Sequence, residues 1–432
     1  MSTSPNAGLE SGLGEHIQHW QEVYRDLHAH PELGFAEHRT AAVVERELRT
    51  IGGWEVTTGV GGTGVVGVLR NGEGPVVLLR ADMDALPVQE DTALDYASTS
   101  AGQMHACGHD VHTTCLLGAC RQFAANAETW RGTVVAVFQP AEEIGQGARA
   151  MLDDGFLDRF PAPSVSLGQH VGPFPVGTAI SRPGTFMSGA DSLRITVHGT
   201  GSHASTPHLA VDPIVLASAI VLRLQTFSAR LASGPSKTLL TPGAVHAGTV
   251  PNVIPEQAEL LLSLRSFDQQ DRQDALQAVD QIVRAEAAAS QAPREPDVQP
   301  YNSFPITANT PSATERVLAA LQATATSARE VPTPVAASED FGLFGSAANC
   351  PSVYWHFGGT DPERFSAEEL ADLEHNTTPE WLPANHSPHY APDPGPTLPA
   401  GIKNLLAAGA EWLGTGTTSD LAGQPAEEVV HP

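Results

Sequence analysis

The chain of 432 residues is longer than one hydrophobic core usually supports, so its length predicts two domains. Its 49 acidic and 23 basic residues give a formal net charge of -26, and the resulting field repels phosphates, which argues against a nucleic-acid partner. We expect a cytoplasmic protein with no membrane partner and with reduced thiols, because no apolar stretch approaches bilayer length, no signal-like apolar core lies between Met1 and Glu15, and there are only four cysteines.

Helices and apolar strands alternate along the first part of the chain. Two helices are followed by two strands bounded by glycines, and then by a helix that leads into a strand: Ile17 to Ala29, Ala36 to Ile51, Gly64 to Arg70, Val76 to Asp82, Thr113 to Ala125 and Thr133 to Phe138. This alternation is typical of a layered α/β domain with a central, mostly parallel sheet.

The pattern changes near Gly189, where the signals take the order strand, helix, strand, strand, helix, strand. The segments are Leu193 to Val197, Val211 to Leu231, Thr238 to His246, Ala258 to Arg265 and the Ala-rich Gln269 to Ala289, before a Pro-rich exit from Pro293 to Pro305. That order predicts a ferredoxin-like α+β insertion. Alternation then resumes with a helix at Ser312 to Ala325 and a strand at Ser352 to Phe357.

These patterns predict one domain in two parts, residues 14–188 and 304–414, interrupted by an inserted domain at residues 189–303. Residues 415–432 show little apolar periodicity, so we expect a disordered tail there.

A thiol, imidazoles and carboxylates form candidate metal ligands in the first domain. Cys107 and His109 are two residues apart, so a thiolate and an imidazole can reach one side of a turn, a pair that suits zinc or another late first-row metal. Glu142 and Glu143 follow the strand and its Pro140 turn, at a sheet edge of the kind where open α/β sheets place ligands. The alternatives are a buried cysteine with a hydrogen-bonded histidine, and two acids at a helix N-terminus.

Two further histidines are weaker candidates when each is taken alone. His170 ends a short apolar segment, and His386 lies in the loop Asn385-His386-Ser387-Pro388. A capping or core role fits His170 equally well, and a loop position only hints at function for His386.

The joint order of these motifs resembles the zinc-type aminoacylase and carboxypeptidase superfamily, in particular its hippurate hydrolase, auxin-conjugate hydrolase and N-acyl amino acid amidohydrolase branch. The resemblance runs from about His28 to about His389. It rests on six segments: His30-Pro31-Glu32-Leu33-Gly34-Phe35, Arg80-Ala81-Asp82-Met83-Asp84-Ala85-Leu86-Pro87, His105 to His112, Phe138 to Glu143, Ser338-Glu339-Asp340-Phe341 and Asn385-His386-Ser387-Pro388.

The resemblance implies a pair of divalent metal ions, Zn or Mn, with Co or Ni also compatible with the ligand types. The implied ligands are Cys107, His109, Glu143, His170 and His386. Glu142 matches the general base, and Asp84 matches an acid that supports the metal site from outside. Asp110 is expected to orient His109 or its loop, whereas Asp82 stands where other branches have a ligand histidine, so its role stays open, as does that of His389.

The insertion carries a second group of implied site residues. His203, in the segment Gly199 to His208, matches a histidine that donates to the oxyanion, and Asn252 and Arg265 match residues that bind a substrate carboxylate. A glycine-turn histidine and a surface arginine at a strand end are the alternatives. The resemblance implies that the two-part domain, residues 14–188 and 304–414, is the catalytic domain and that the insertion is a lid or dimerisation domain. Some members of the superfamily dimerise through this insertion, so we expect a homodimer or homotetramer.

The sequence therefore predicts metal-dependent hydrolysis of the amide bond of a small-molecule N-acyl amino acid, with a metal-activated water and Glu142 as base. A metallo-dipeptidase or carboxypeptidase with the same metals is the nearest alternative. A homologue that binds metal or ligand without catalysis is a more remote one, because every expected ligand and the base are present.

Overall fold

The computed structural model describes residues 8–232, 238–374 and 378–415, so most of the expected disordered tail lies outside the described residues. The chain divides into two compact units. The first runs to Phe186 and also takes in Ala308–Thr333 and the segment from Asp340 onward; the second comprises Met187–Thr307 and Pro334–Glu339. Among the described residues, no helix combines the length and apolarity needed to cross a bilayer.

The helices, in chain order, are α1 (Ile17–Ala29), α2 (His38–Ile51), α3 (His109–Ala125), α4 (Gly147–Asp153), α5 (Phe156–Arg159), α6 (Pro213–Ala232), α7 (Gln269–Ala289), α8 (Pro311–Leu321), α9 (Gly342–Ala348), α10 (Ala367–Glu374) and α11 (Pro394–Ala410). The strands are β1 (Glu55–Val60), β2 (Gly64–Asn71), β3 (Val76–Asp82), β4 (Trp130–Gln139), β5 (Val165–Pro175), β6 (Thr178–Ser181), β7 (Gly184–Met187), β8 (Gly189–His198), β9 (Ser202–His203), β10 (Leu239–Ala247), β11 (Val253–Ile254), β12 (Gln257–Ser266), β13 (Asp297–Phe304), β14 (Thr307–Asn309), β15 (Ser327–Glu330), β16 (Ser352–Thr360) and β17 (Gly414–Thr415).

The first unit is a layered α/β structure built on a sheet of order β1-β2-β4-β3-β5-β16-β6-β15. Its centre, β4-β3-β5-β16, is parallel, while β1, β2 and β6 pair antiparallel at the flanks. Alternate residues of β4 enter different cores, Val134 and Phe138 on one face and Val135 and Val137 on the other. Both faces are thus covered, which explains why β4 reads as a continuous apolar run and confirms the predicted layered fold.

The carboxyl ends of the central strands position the candidate site. Strand β3 ends at Asp82, β4 ends at Gln139 just before Glu142, and His170 lies on β5. Because these strands are parallel, their ends meet at one edge of the sheet.

The second unit is a four-stranded antiparallel sheet of order β10-β12-β8-β13 with helices α6 and α7 packed against it. Alternate residues of β12, from Ala258 to Leu264, enter the core shared with these helices. The chain order strand, helix, strand, strand, helix, strand confirms the ferredoxin-like α+β insertion.

Two elements that contain proline lie where the sequence patterns assigned no helix or strand. The segment expected as a Pro-rich exit contains β13, where Pro300 is tolerated because the strand is at the end of the sheet order and its register shifts beside that residue. Helix α11 begins with Pro394 in its first turn and contains Pro399. The first-turn N–H groups need no partner within the helix, so a proline there does not prevent it from starting.

Candidate metal centre and catalytic site

A left-handed glycine brings the first two candidate ligands together. Gly108 has φ 86, and a Cβ at this position would lie 2.4 Å from Val171 Cγ1, so the turn requires glycine. Cys107 precedes this turn, and His109 is the first residue of α3. The pair is therefore placed by a turn that leads directly into a helix start.

One ring nitrogen of His109 contacts an acid, and the other is left to bind a metal ion. Its Nδ1 lies 3.2 Å from Asp84 Oδ1, while its buried Nε2 has no hydrogen-bond partner and lies 3.7 Å from Glu143 Oε1 and 3.9 Å from Glu142 Oε2. A carboxylate behind a histidine fixes the ring and its tautomer in many metal sites. Asp84 also accepts a hydrogen bond from the Glu143 backbone N–H at 2.9 Å, so it orients two candidate ligands.

The other candidate ligands converge on the same place. The ligand atoms of Cys107, His109 and His170 lie within 4.8 Å of one another, and those of Cys107, Glu143 and His386 form a second such group. Cys107 belongs to both groups, and its Sγ is 3.3 Å from His170 Nε2. The fold thus brings all five predicted ligands together, from segments more than 270 positions apart.

The electrostatics of the cluster favour a cation. Burial raises the pKa of the Cys107 thiol well above its usual value and raises that of Glu143 to about 7. Burial alone would lower the pKa of His109, but Asp82 and Asp84 raise it to about 10. These shifts favour the protonated forms of the thiol and of Glu143, and a further positive partner would favour their charged forms. A divalent cation would supply that partner.

A second observation also indicates that these residues fit a metal centre. His109 Nε2 and Glu143 Oε1 are buried without a hydrogen-bond partner, and both residues belong to the ligand groups. A buried polar atom without a partner is costly, so such atoms are rare unless something else binds them. Thiolate, imidazole and carboxylate together suit zinc and neighbouring first-row metals.

Glu142 and Glu143 lie in a turn after β4 and before α4, so they are not helix N-terminal acids. The turn is set by Ala141, whose φ of 50 is left-handed and unusual for a residue with a side chain. The Ala141 N–H donates to Glu37 Oε1 at 2.7 Å, and the Thr63 hydroxyl donates to Glu37 Oε2 at 2.5 Å. Glu37 is fully buried, so it anchors the turn that carries both acids.

Asp82 belongs to a series of buried polar side chains that are linked by hydrogen bonds. It accepts from Arg80 Nη1 at 2.6 Å and contacts His112 Nδ1 at 2.5 Å, while Arg80 also donates to Gln139 and Asp340. Asp82 Oδ2 lies 3.8 Å from His109 Nε2, at the margin of the cluster.

Asp110 has a different partner from the expected one. Its carboxylate contacts His28 Nδ1 at 2.6 Å and accepts from the Val111 N–H at 2.9 Å, so it supports the start of α3, whereas Asp84 orients His109. The expected role of Asp110, which is to orient His109 or its loop, stays a prediction; the two residues are adjacent at the start of α3. His389 contacts the Asp91 backbone carbonyl at 2.6 Å on the surface.

The second unit holds the other predicted site residues. His203 and Asn252 are close, because β9 pairs with β11 and the Ala204 N–H donates to the Asn252 carbonyl at 3.0 Å. His203 lines a groove of about 1000 Å³. Arg265, on β12, donates instead to the Ala336 carbonyl at 2.7 Å and to Ser338 Oγ at 3.2 Å.

The supporting residues Glu37, Arg80 and His112 are not recognisable from the sequence as parts of the site. Arg80 and His112 lie inside motifs that mark the family and Glu37 lies two positions after one, which is the available signal. Their partners are from 2 to 260 positions away, so the contacts themselves depend on the fold.

Comparison with known proteins agrees with the motifs. Residues 78–375 match the sequence profile of peptidase family M20/M25/M40. The chain is 35% identical over 348 residues to thermostable carboxypeptidase 1 of Saccharolobus solfataricus, covering 79% of this chain and 86% of that one. It is 36% identical over 346 residues to the hippurate hydrolase of Campylobacter jejuni, covering 78% and 87%.

A solved structure gives the same assignment. A dinuclear metal-binding peptidase of family M20 from Bacillus subtilis superposes with a TM-score of 0.72 at 29% sequence identity, covering 92% of this chain and 98% of that one. The resemblance to the amidohydrolase branch is thereby confirmed. The chain belongs to peptidase family M20/M25/M40 and is a hydrolase that acts on amide bonds.

Proposed function

We propose that the protein hydrolyses the amide bond between an acyl group and the nitrogen of an amino acid that has a free carboxylate, and that it requires two divalent cations. The observation that carries this proposal is the pair of ligand groups sharing Cys107, with Glu142 beside them. The hippurate hydrolase relative and the dinuclear metal-binding neighbour support it.

Cys107, His109, Glu143, His170 and His386 would hold the cations, and zinc or manganese suits these ligands best, with cobalt or nickel also compatible. Bound there, divalent cations supply Lewis acidity, which polarises the scissile carbonyl and lowers the pKa of a water molecule.

Glu142 would move the proton during the reaction. Its carboxylate is 3.9 Å from His109 Nε2, close to the ligand groups without being needed to complete either of the two that share Cys107. As general base it takes a proton from the attacking water, and as general acid it returns that proton to the nitrogen of the departing amine. The second step matters because an unprotonated amine is a poor leaving group.

His203 would donate a hydrogen bond to the oxygen of the tetrahedral intermediate. The Ser205 N–H donates to His203 Nδ1 at 3.2 Å, and the Ser205 hydroxyl lies 2.7 Å from the same nitrogen. A neutral imidazole that accepts at Nδ1 carries its proton on Nε2. The second unit therefore prepares His203 as an Nε2–H donor, which is the form an oxyanion needs.

Arg265 and Asn252 would bind the substrate carboxylate. Only Nη1 of Arg265 is engaged in the contacts with Ala336 and Ser338, so the planar guanidinium keeps other N–H groups for a carboxylate.

A carboxypeptidase or dipeptidase is the second candidate, because the carboxypeptidase relative matches at nearly the same identity as the hippurate hydrolase. Both activities would use the same cations and the same Glu142. The two activities differ in the group on the acyl side of the scissile amide bond. This group carries a free amine in an unblocked dipeptide and none in an N-acyl amino acid.

The test is a panel of N-acetyl amino acids, hippurate, indole-acyl amino acids and unblocked dipeptides, assayed with metal-stripped protein to which Zn, Mn, Co or Ni is returned. We expect metal-restored cleavage of the acylated substrates. Preference for unblocked dipeptides would favour the second candidate, and metal uptake without turnover on any substrate would favour a non-catalytic homologue. Glu142→Gln should bind metal as the parent does and lose roughly 10²- to 10⁴-fold in kcat.

We also propose that the second unit joins two copies of the chain. Strand β10 is at the end of its sheet order, and its Leu239 and Val245 are 47% and 51% exposed. Val215 and Leu222, on α6, are exposed as well. An edge strand with exposed apolar residues is a ready template for a second strand. Val245→Lys should convert a dimer or tetramer into smaller species in sedimentation velocity, and a parent protein that sediments as a monomer would refute the idea.

A further inference from the structure

His112 is buried and belongs to a group with Asp82 and His109 whose ligand atoms lie within 4.8 Å of one another. By residue type and distance it is a sixth possible cation ligand. Its hydrogen bonds point to a different task.

Both ring nitrogens of His112 already have partners. The Val171 backbone N–H donates to Nε2 at 2.8 Å, so Nε2 carries no proton. Nδ1 therefore carries the proton of the neutral ring and donates it to Asp82 Oδ1 at 2.5 Å. An imidazole binds a cation through an unprotonated nitrogen, and the single one on His112 is occupied by a backbone amide.

Val171 connects His112 to the adjacent ligand His170. The Val171 carbonyl accepts from His170 Nδ1 at 2.7 Å, which turns the Nε2 of that ring toward Cys107. The same carbonyl accepts from Asn385 Nδ2 at 3.2 Å. One peptide segment thus fixes the His170 ring through its carbonyl and is itself fixed by His112 through its amide.

The side chains that hold His112 on its other side are fixed in place. Asp82 is held by the buried guanidinium of Arg80 at 2.6 Å, and Arg80 donates to Gln139 Oε1 at 2.8 Å and to Asp340 Oδ1 at 3.2 Å. A buried arginine with three acceptors has little freedom to move, so Asp82 and the His112 ring behind it have little freedom either.

We propose that His112 is a positioning residue: anchored by Asp82 and Arg80, it holds the Val171 amide and thereby aims His170 at the cation, and it does not bind a cation itself. This inference rests on the proposed metal centre. It also gives Asp82, whose role the sequence left open, the task of supporting the site.

Two variants test the two ring nitrogens of His112 separately. In His112→Gln, the side-chain oxygen can accept from the Val171 N–H, as Nε2 does. In His112→Asn, the shorter amide can donate to Asp82, as Nδ1–H does, but leaves the Val171 N–H without an acceptor. A positioning role through Val171 predicts that Gln, and not Asn, preserves the His170 geometry.

The first measurement is amide hydrogen exchange of the peptide spanning residues 165–175 in metal-free protein. We expect protection of this peptide in the parent and in His112→Gln, and at least roughly tenfold faster exchange in His112→Asn, because the unpaired amide opens more readily. Equal exchange in the two variants would overturn the role assigned to His112. This readout does not depend on metal binding.

The second measurement is zinc affinity by competition with a chelating dye. His112→Asn should bind one equivalent about 10- to 100-fold more weakly, whereas His112→Gln should stay within about threefold of the parent. Loss of an equivalent in His112→Gln would identify His112 as a ligand and refute the proposal. If neither variant folds, anomalous diffraction from zinc-loaded parent crystals decides: an ion at bonding distance from His112 overturns the inference, and ions bound by His170 without His112 support it. Failure of the parent to bind zinc would instead count against the proposed metal centre.

Discussion

Replacing Glu37 by alanine tests how the turn before Glu142 is held. The buried Glu37 carboxylate accepts hydrogen bonds from the Ala141 N–H and the Thr63 hydroxyl. Without it, two buried donors lose their acceptor, and the left-handed Ala141 loses the contact that keeps it in place. The turn should then relax toward an ordinary backbone conformation and move Glu142 with it.

The structure sets the size of the effect. Each buried donor left unpaired costs about 1–3 kcal/mol, so Glu37→Ala should lower the free energy of unfolding by about 2–6 kcal/mol. The left-handed backbone at Ala141 costs roughly 1–2 kcal/mol, and the relaxed turn escapes that cost. A displacement of a catalytic group by about 1 Å can lower kcat roughly 10²-fold, which is the loss we expect.

The assay combines chemical denaturation with kcat on an N-acyl amino acid. Glu37→Gln is the matched control, because its amide can accept from Ala141 and donate to Thr63 Oγ, so it should stay near the parent in both measurements. Ala141→Gly removes the cost of the left-handed turn. Added to Glu37→Ala, it should recover roughly five- to thirtyfold in kcat, the factor that corresponds to 1–2 kcal/mol.

Two outcomes would refute this reasoning. One is a Glu37→Ala protein that loses stability but keeps the parent kcat, since the turn would then hold its position without the carboxylate. The other is strict additivity of the Glu37 and Ala141 substitutions in kcat, since a shared turn requires coupling between them.

Three further results are expected. Arg265→Ala should raise KM for substrates with a free carboxylate and leave carboxamide analogues little changed, and an equal loss on both would contradict the carboxylate clamp. Ser205→Ala should lower kcat about fivefold, because one hydrogen bond that sets the His203 tautomer is worth about 1 kcal/mol; an unchanged kcat would argue against that tautomer. Burial alone would lower the pKa of His28, but the hydrogen bonds that its ring donates to two carboxylates raise it from 6.5 to about 9. His28 should therefore stabilise the fold fully below pH 6.5 and lose about 3 kcal/mol as the pH rises through 9, a loss that urea unfolding of His28→Gln should not show.

The local patterns predicted much of the fold, because the apolar period alone defines many elements. Helix α7 and strand β3 have the bounds that periodicity predicts, since α7 carries one apolar stripe and β3 is buried along most of its length. Helix α11 has no counterpart among the predicted elements. It contains prolines, which usually mark a helix break, although Pro394 occupies a position where no hydrogen bond is lost.

The supporting contacts of the site could not be predicted in the same way. Motif order alone indicated the five candidate ligands, but the tautomer of His112 depends on the Val171 amide, 59 positions away. The anchoring of Ala141 likewise depends on Glu37, 104 positions upstream. Such contacts are set by strand order and helix packing, which a single sequence does not state.

The interrupted first unit has a consequence for biosynthesis. His170 and His386 belong to the same set of candidate ligands, but the whole second unit is translated between them. At roughly 5–20 residues per second, about 10–40 s separate the emergence of these two histidines from the ribosome. The second unit is nearly continuous in sequence and can fold during that interval, whereas the first still lacks β16 and its last ligand. Cation loading is therefore expected to be a late event, completed only after His386 has emerged, and chains truncated before His386 should fold their second unit yet bind metal poorly.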